Sequence, residues 1–276
     1  MCDIQYQPAD DQQAHSSTHL LAHDFYTMFD VVPAITDELK EEAHHLRFKI
    51  FCLQEKGYED PSKYPDGQEK DEFDSHTNHV LLKFKPTGQA LGVIRVIFPD
   101  GNNLAESFPI QTLMKREEAP QLHGEAARHM VEFSRLGIAD DVRRDIRAYM
   151  GTPEAASLTD QFKAVRPDQS RMLISMAPLG LFRGAFELTL NHDIVTGVSV
   201  MTPHNREKLS AVGMVWHRLG EDREYHGIRT PFQFNIREIF ENCRKNRPEV
   251  WHVVSPNGSN HEQAERISTR TRAFSV

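Results

Sequence analysis

The chain has 276 residues, 39% of them hydrophobic and 26% charged, with a formal net charge of −8. That balance is ordinary for a globular domain, and its sign argues against nucleic acid as a partner, because a polyanion needs a basic footprint. Three cysteines, Cys2, Cys52 and Cys243, are odd in number and far apart, which excludes a disulfide framework and fits a reducing, cytoplasmic compartment.

The chain opens on a polar stretch, 1–22, expected to be a flexible tail without the apolar core of a signal peptide. Phe25 to Val32 is β-prone and Pro33 ends it. Thr36 is placed to cap a helix whose apolar positions Leu39, Ala43, Leu46 and Ile50 recur at helical spacing. Gly57 to Gly67 reads as loop. His79–Phe84 and Gly92–Phe98 read as two strands of a hairpin turned at Pro86-Thr87-Gly88. His129–Leu136 is another strand, and 140–169 reads as a mobile insertion. Ser170 is placed to cap a helix over 171–190, followed by a strand at 194–201 and a short helix at 205–212. Trp216–Leu219 and Phe232–Ile236 are strands, and a helix runs to Lys245. The longest nearly apolar run, Met172 to Phe182, is too short to span a bilayer and contains Pro178. Residues 255–276 read as a second flexible tail. This mixture predicts one domain over 23–254, of α/β (α+β) class, with a mainly antiparallel mixed sheet flanked by helices.

Charge is distributed unevenly. Residues 37–74 hold twelve acidic and six basic side chains, a local charge of −6. Three arginines, by contrast, sit in apolar settings. Arg47 lies at the edge of the first helix's buried stripe. Arg95 interrupts Val93-Ile94-Arg95-Val96-Ile97-Phe98, and Arg135 ends Met130-Val131-Glu132-Phe133-Ser134-Arg135. A buried guanidinium cannot shed its charge and needs carboxylates. Asp71, Asp74 and Glu132 are expected to supply them, unless each arginine reaches solvent on its own. Glu132 and Arg135 are three residues apart, so they can line one site only if the strand contains a β-bulge.

Arg47 with Phe51, Asp71-x-x-Asp74, Gly92-x-x-Arg95, Phe108 and Glu132-Phe133-Ser134-Arg135, in that order and spacing, resemble the acyl-homoserine-lactone synthases and the related N-acyl amino acid synthases. Leu46-Arg47-Phe48-Lys49-Ile50-Phe51-Cys52-Leu53-Gln54-Glu55, with Gly57-Tyr58-Glu59 following, looks most like the acyltransferases associated with PEP-CTERM/exosortase systems. The resemblance is good over 25–136 and looser beyond.

It implies the GNAT fold, with two central strands, here 130–136 and 194–201, splayed to admit an acyl-phosphopantetheine arm. The implied reaction is N-acylation of an amino acid or a similar amine from an acyl carrier protein or coenzyme A thioester, the donor being substrate rather than resident cofactor. Glu132 is the implied base, Ser134 the implied donor to the leaving thiol and Arg135 a further catalytic residue. Arg47, Phe51, Asp71, Asp74, Arg95, Phe108 and Phe133 are implied to bind substrate. Met172, Met176, Leu179 and Phe182 either line an acyl-chain pocket or are plain core. Arg143, Arg144 and Arg147 are expected to dock an acidic carrier, although 140–171 holds six acids and six bases. Two departures stand out. Ala211-Val212-Gly213 occupies the place where many GNAT enzymes carry an acidic tyrosine. Arg135-Leu136-Gly137-Ile138-Ala139 only partly matches the pyrophosphate loop, which weakens the cradle for coenzyme A. No metal site is expected, because His15, His19 and His23 share a polar tail. The alternatives are an autoinducer synthase using S-adenosylmethionine and a non-catalytic acyl- or carrier-binding module.

Overall fold

A computed structural model describes residues 21–55, 57–152 and 167–273. Eight strands form the sheet: β1 (Phe29–Pro33), β2 (Thr77–Phe84), β3 (Ala90–Ile97), β4 (Met130–Ile138), β5 (Thr196–Met201), β6 (His217–Arg218), β7 (Arg223–Glu224) and β8 (Ile228–Asn235). Their order is β1-β2-β3-β4-β5-β8-β6, with β7 beside β8. Every pairing is antiparallel except β4 with β5. Seven consecutive residues of β3 are buried, which explains why its sequence does not alternate: helices cover both faces of the central sheet.

The first helix, α1 (Asp37–Phe48), begins where the sequence predicts. The Thr36 hydroxyl accepts the Leu39 N–H, and Asp37 and Glu38 sit at the positive end of the dipole. A π-helical turn, Lys49–Gln54, continues it and buries Ile50, Phe51 and Cys52. The expected strand 25–32 is shorter. Residues 21–28 are helical, because Ala22, Phe25 and Met28 bury one helical face, and extended backbone starts at Phe29. In the expected insertion, 140–149 is instead the regular helix α3 (Asp140–Tyr149; α2 is the short helix Pro109–Leu113), with Val142 and Ile146 buried one turn apart. Residues 1–20 and 153–166 of the expected tail and insertion lie outside the described residues.

The helix expected over 171–190 is two helices, α4 (Pro167–Ser175) and α5 (Ala177–Asn191). Pro178 explains the break: proline is tolerated in a first turn but disrupts a helix interior. Helix α5 lies against β1 to β4, and Gly180 and Gly184 allow the close approach. A Cβ on Gly184 would sit 2.6 Å from Val80 and 2.7 Å from Val31. The chain then runs through α6 (Pro203–Ala211), α7 (Ile236–Asn246), α8 (Pro248–Val254) and α9 (Ser259–Ala273). Helix α9 corrects the expected C-terminal tail. Its Ala264 and Ile267 are buried in the main core, two apolar positions three apart in an otherwise polar segment.

Gly184→Val should force α5 off the sheet and cost about 3 kcal/mol. By calorimetry the melting temperature should fall by roughly 6–12 °C. Gly101→Ala, with no atom within 4 Å of the added carbon, should leave it unchanged.

Candidate active site

Strands β4 and β5 run parallel for only three residue pairs, Met130–Thr196, Val131–Gly197 and Glu132–Val198. Beyond Glu132 they part. β4 stays on β3 and β5 stays on β8. β4 also carries one residue more than β3 between the pairs Val93–Gly137 and Arg95–Ser134. Arg135 sits in that bulge with φ of 50°, a left-handed conformation unusual for a side-chain-bearing residue. The cleft between the parted strands is lined by Glu132, Phe133, Ser134, Arg135 and Leu136 from β4 and by Ser199, Val200 and Met201 from β5. The bulge thus brings Glu132 and Arg135 to one site despite their three-residue spacing.

The three arginines are buried and meet carboxylates. Arg47 Nε donates to Glu69 at 2.6 Å, and its NH1 donates to Asp74 at 2.5 Å and to His79 Nε2 at 2.8 Å. Arg95 NH1 donates to Asp71 at 2.6 Å, and its Nε donates to Ser134 Oγ at 2.8 Å. Arg135 NH2 reaches Glu69 at 2.9 Å and Glu59 at 3.2 Å, and NH1 donates to the Tyr58 hydroxyl at 3.1 Å. Its guanidinium also lies 5.6 Å from the Phe51 ring centre and 5.2 Å from that of Tyr58. Glu69 joins Arg47 to Arg135 and is itself fully buried. Burial opposes its charge, but the two guanidiniums outweigh that and hold its carboxyl down at about 2. Arg47 also fixes the state of His79. Arginine only donates, so His79 Nε2 must accept, and burial with the adjacent guanidinium pushes that imidazole down to about 4.

Glu132 corrects the expected network. Among the described residues it forms no ion pair, and one oxygen accepts the Ile110 N–H at 2.9 Å from the short helix α2 (Pro109–Leu113). Burial pushes its carboxyl up to about 7, against the pull of the Ile110 N–H and of Arg95. A carboxylate at the floor of a cleft with that value can accept a proton near neutrality.

The other residues singled out from sequence divide. Phe51, Phe133 and Phe182 line the cleft, and Phe108 does not. Phe108 is fully buried in a second cluster with Ile97, Ile110 and Met130. Leu179 and Met176 are buried, while Met172 is 44% exposed. Arg144 and Arg147 are exposed on α3, and Arg143 turns back to Asp140. Sequence reasoning missed Glu69 because it lies among charged neighbours, Lys70 to Glu72, with no contrast to mark it. Tyr58 and Glu59 stood within a quoted segment without a role. Trp216, Tyr225 and Arg229 also line the cleft, brought there by β6 to β8. His44, Asp74 and His79 bring three ligand-type atoms within 4.8 Å, but Arg47 occupies the His79 lone pair that a cation would need.

Glu69→Gln should cost about 3–5 kcal/mol, since it leaves two buried guanidiniums short of an anion. Acid should lower the stability of the parent in two stages. Buried neutral His79 is stabilising above pH 6.5, and that contribution is lost as the pH falls toward 4. Glu69 is stabilising above about 4.5, and its contribution is lost toward about 2. Melting temperatures from pH 7.5 to 2.5 check both, and Glu69→Gln should flatten the lower stage.

Comparison with known proteins agrees with this fold. The model of the acetyltransferase (GNAT) domain matches residues 46–150. No curated protein matches the chain. Among solved structures, the CoA-dependent acyl-homoserine lactone synthase BjaI, solved with SAM and isopentyl-CoA, is similar at 18% identity and a TM-score of 0.50, over 88% of this chain and 99% of that one. The AHL synthase LasI aligns at 18% identity and 0.48, over 75% and 90%. FeeM, an N-acyl amino acid synthase from uncultured soil microbes, aligns at 12% identity and 0.48, over 78% and 94%. The likeness to BjaI, at a TM-score of 0.50, establishes fold alone. The chain has the GNAT fold, and the match of residues 46–150 to the acetyltransferase (GNAT) domain supports an acyltransferase.

Proposed function

We propose that the chain is an N-acyltransferase that moves a fatty-acyl group from an acyl carrier protein thioester to the amine of an amino acid or related small molecule. The observation that carries this reading is Glu132. It is a buried carboxylate, unpaired among the described residues, at the point where β4 and β5 part, with its carboxyl raised to about 7. A thioester arm laid in the cleft brings its carbonyl beside the β4 edge from Phe133 to Leu136, which has no β5 partner and offers backbone N–H groups to an oxyanion. Glu132 takes the proton of the attacking amine. Arg135 and Arg95, neutralised by Glu69 and Asp71, hold the bulge and Ser134 in place. Phe133 and Phe182 give the acyl chain an apolar wall.

The start of α3 supports a carrier protein as donor. In the GNAT fold a coenzyme A pyrophosphate would meet this helix N-terminus. Here Gln54 fills it: its amide oxygen accepts the Asp140 N–H at 2.8 Å, and its amide nitrogen donates to Ile138 O at 3.0 Å. Asp140 and Asp141 add negative charge to the first turn, and Asp141 Oδ1 accepts the Val142 N–H. An end so occupied repels phosphate. Exposed Arg144 and Arg147 on the same helix offer an acidic carrier a landing point.

Lipid extracts of cells expressing the chain should contain new masses equal to a fatty acid plus an amino acid minus water, absent with Glu132→Gln. An acyl-homoserine lactone in their place would assign the autoinducer reaction instead. With purified protein, kcat/KM should rise through an apparent pKa near 7, because the base must be ionised, and Glu132→Gln should abolish that limb with a 10²- to 10⁴-fold loss. The kcat/KM for acyl carrier protein should exceed that for acyl-CoA by at least about tenfold. Arg144→Glu with Arg147→Glu should slow the former, more so at low salt, and not the latter.

A further inference from the structure

Three guanidiniums line the cleft, those of Arg95, Arg135 and Arg229. Asp71 and Glu69 neutralise the first two. Arg229 has no such partner. Among the described residues its hydrogen bonds run only to backbone carbonyls of its own hairpin, Nε to Tyr225 O at 2.8 Å and NH2 to His226 O at 3.2 Å, and it enters no ion pair. A carbonyl orients a guanidinium without cancelling its charge. Glu55, which also lines the cleft, is close enough to feel Arg229 but does not pair with it, and burial outweighs the arginine and leaves the Glu55 carboxyl raised. Arg229 is half-buried, so the cleft holds a positive charge that the fold leaves without an anion.

The sheet places that charge on the side of the base. Val198 pairs with Glu132 on one flank and with Gln233 on the other, so Gln233 stands level with Glu132 on the same face. Arg229 precedes Gln233 by four residues along β8, an even step, and shares that face. Phe133, next to Glu132, faces the other way and packs against Phe182 and Phe234. The apolar acyl wall and the unanswered guanidinium therefore lie on opposite faces of the sheet, and Arg229 is on the face from which an amine reaches Glu132.

We propose that Arg229 is the specificity residue for the acceptor and takes its carboxylate while the amine meets Glu132. The assignment rests on the acyl-transfer reading above and narrows it: the acceptor is an amine that carries a free carboxylate, and amines without one are rejected.

The guanidinium is prepared for that ligand. Its Nε and one N–H of NH2 are spent on the hairpin carbonyls, which leaves three of the five N–H groups, on NH1 and NH2, for a carboxylate. It lies 5.1 Å from the Tyr58 ring centre, and the His226 ring stacks on the same phenol at 4.4 Å and 7°. His226 Nδ1 is 2.6 Å from Tyr58 O, and His226 and Gly227 take left-handed φ of 49° and 89° to make the turn. The hairpin is thereby fastened to the Tyr58 loop, and little of the arginine remains to be ordered when a ligand arrives.

The test compares acceptors that differ only in the carboxylate. Initial rates are measured for the full chain with a long-chain acyl carrier protein thioester and a panel of L-α-amino acids and short ω-amino acids, and the best acceptor is compared with its own carboxamide. The parent should prefer the acid by about 10- to 100-fold in kcat/KM, although the carboxamide has the less basic and more readily deprotonated amine. In Arg229→Gln that ratio should fall close to unity, chiefly through KM for the acid. Arg229→Lys, which keeps the charge but not the fork, should retain part of it. A parent that uses acid and carboxamide equally overturns the assignment without any variant. So does Arg229→Gln slowing both acceptors alike with the ratio kept, as a merely structural arginine would. The phosphate of the donor's pantetheine arm is the other anion within the reaction, and a thioester of N-acetylcysteamine lacks it. An Arg229→Gln defect that disappears with that donor overturns the assignment and gives Arg229 to the donor arm. In each of these outcomes acyl transfer stands. A parent chain that acylates neither an amino acid nor its carboxamide overturns both the assignment and the reading beneath it.

Discussion

Three guanidiniums are buried together, two of them in the wall of one cleft, and none of them can become neutral. That constraint shapes everything around them. Arg47, Arg95 and Arg135 come from α1, β3 and β4, so the anions that satisfy them must be drawn from a segment free to reach all three. The stretch from Tyr58 to Asp74 does this, bringing Glu59, Glu69, Asp71 and Asp74 to the arginines. The acidity of 37–74 is thus only partly a solvated face. Four carboxylates already exceed three cations, so a further acid nearby finds no guanidinium. Glu132 is that acid. It is buried beside the network without belonging to it, which is why its proton affinity is raised while that of Glu69 is lowered.

The same cluster pins the backbone irregularity that opens the site. A left-handed Arg135 costs of order 1–3 kcal/mol, and it is held there by Glu69, Glu59, Tyr58 and a cation–π contact. The bulge turns the β4 edge from Phe133 to Leu136 toward the gap, where the parallel pairing with β5 has ended. Strain, charge pairing and the exposed strand edge are therefore one arrangement. Removing an anion destabilises the fold and deforms the cleft together.

The cleft holds the buried carboxylate and the neutralised Arg95 and Arg135. At the start of α3, whose first turn is acidic, Gln54 accepts the Asp140 N–H. The β7–β8 hairpin is held to the arginine network by the His226 ring stacked on Tyr58.

Much of this was legible in the residues themselves. Thr36 with Leu39, Ala43 and Leu46 set the first helix. The turn at Pro86 to Gly88 set the hairpin. The apolar surroundings of Arg95 announced a charge needing partners, and the spacing of Glu132 and Arg135 called for a bulge if both were to line one site. These are local properties, decided by propensity, period and the impossibility of neutralising arginine. The tertiary structure decided which anions answered. Glu69 took the place expected of Glu132, because a loop carboxylate can swing to a guanidinium while a strand carboxylate is fixed by its register. It also ordered α9, whose two buried residues are too few to stand out in a polar segment, and it brought Tyr225 to the cleft. Pairing across long sequence separation depends on where the sheet places each strand, and no local pattern records that.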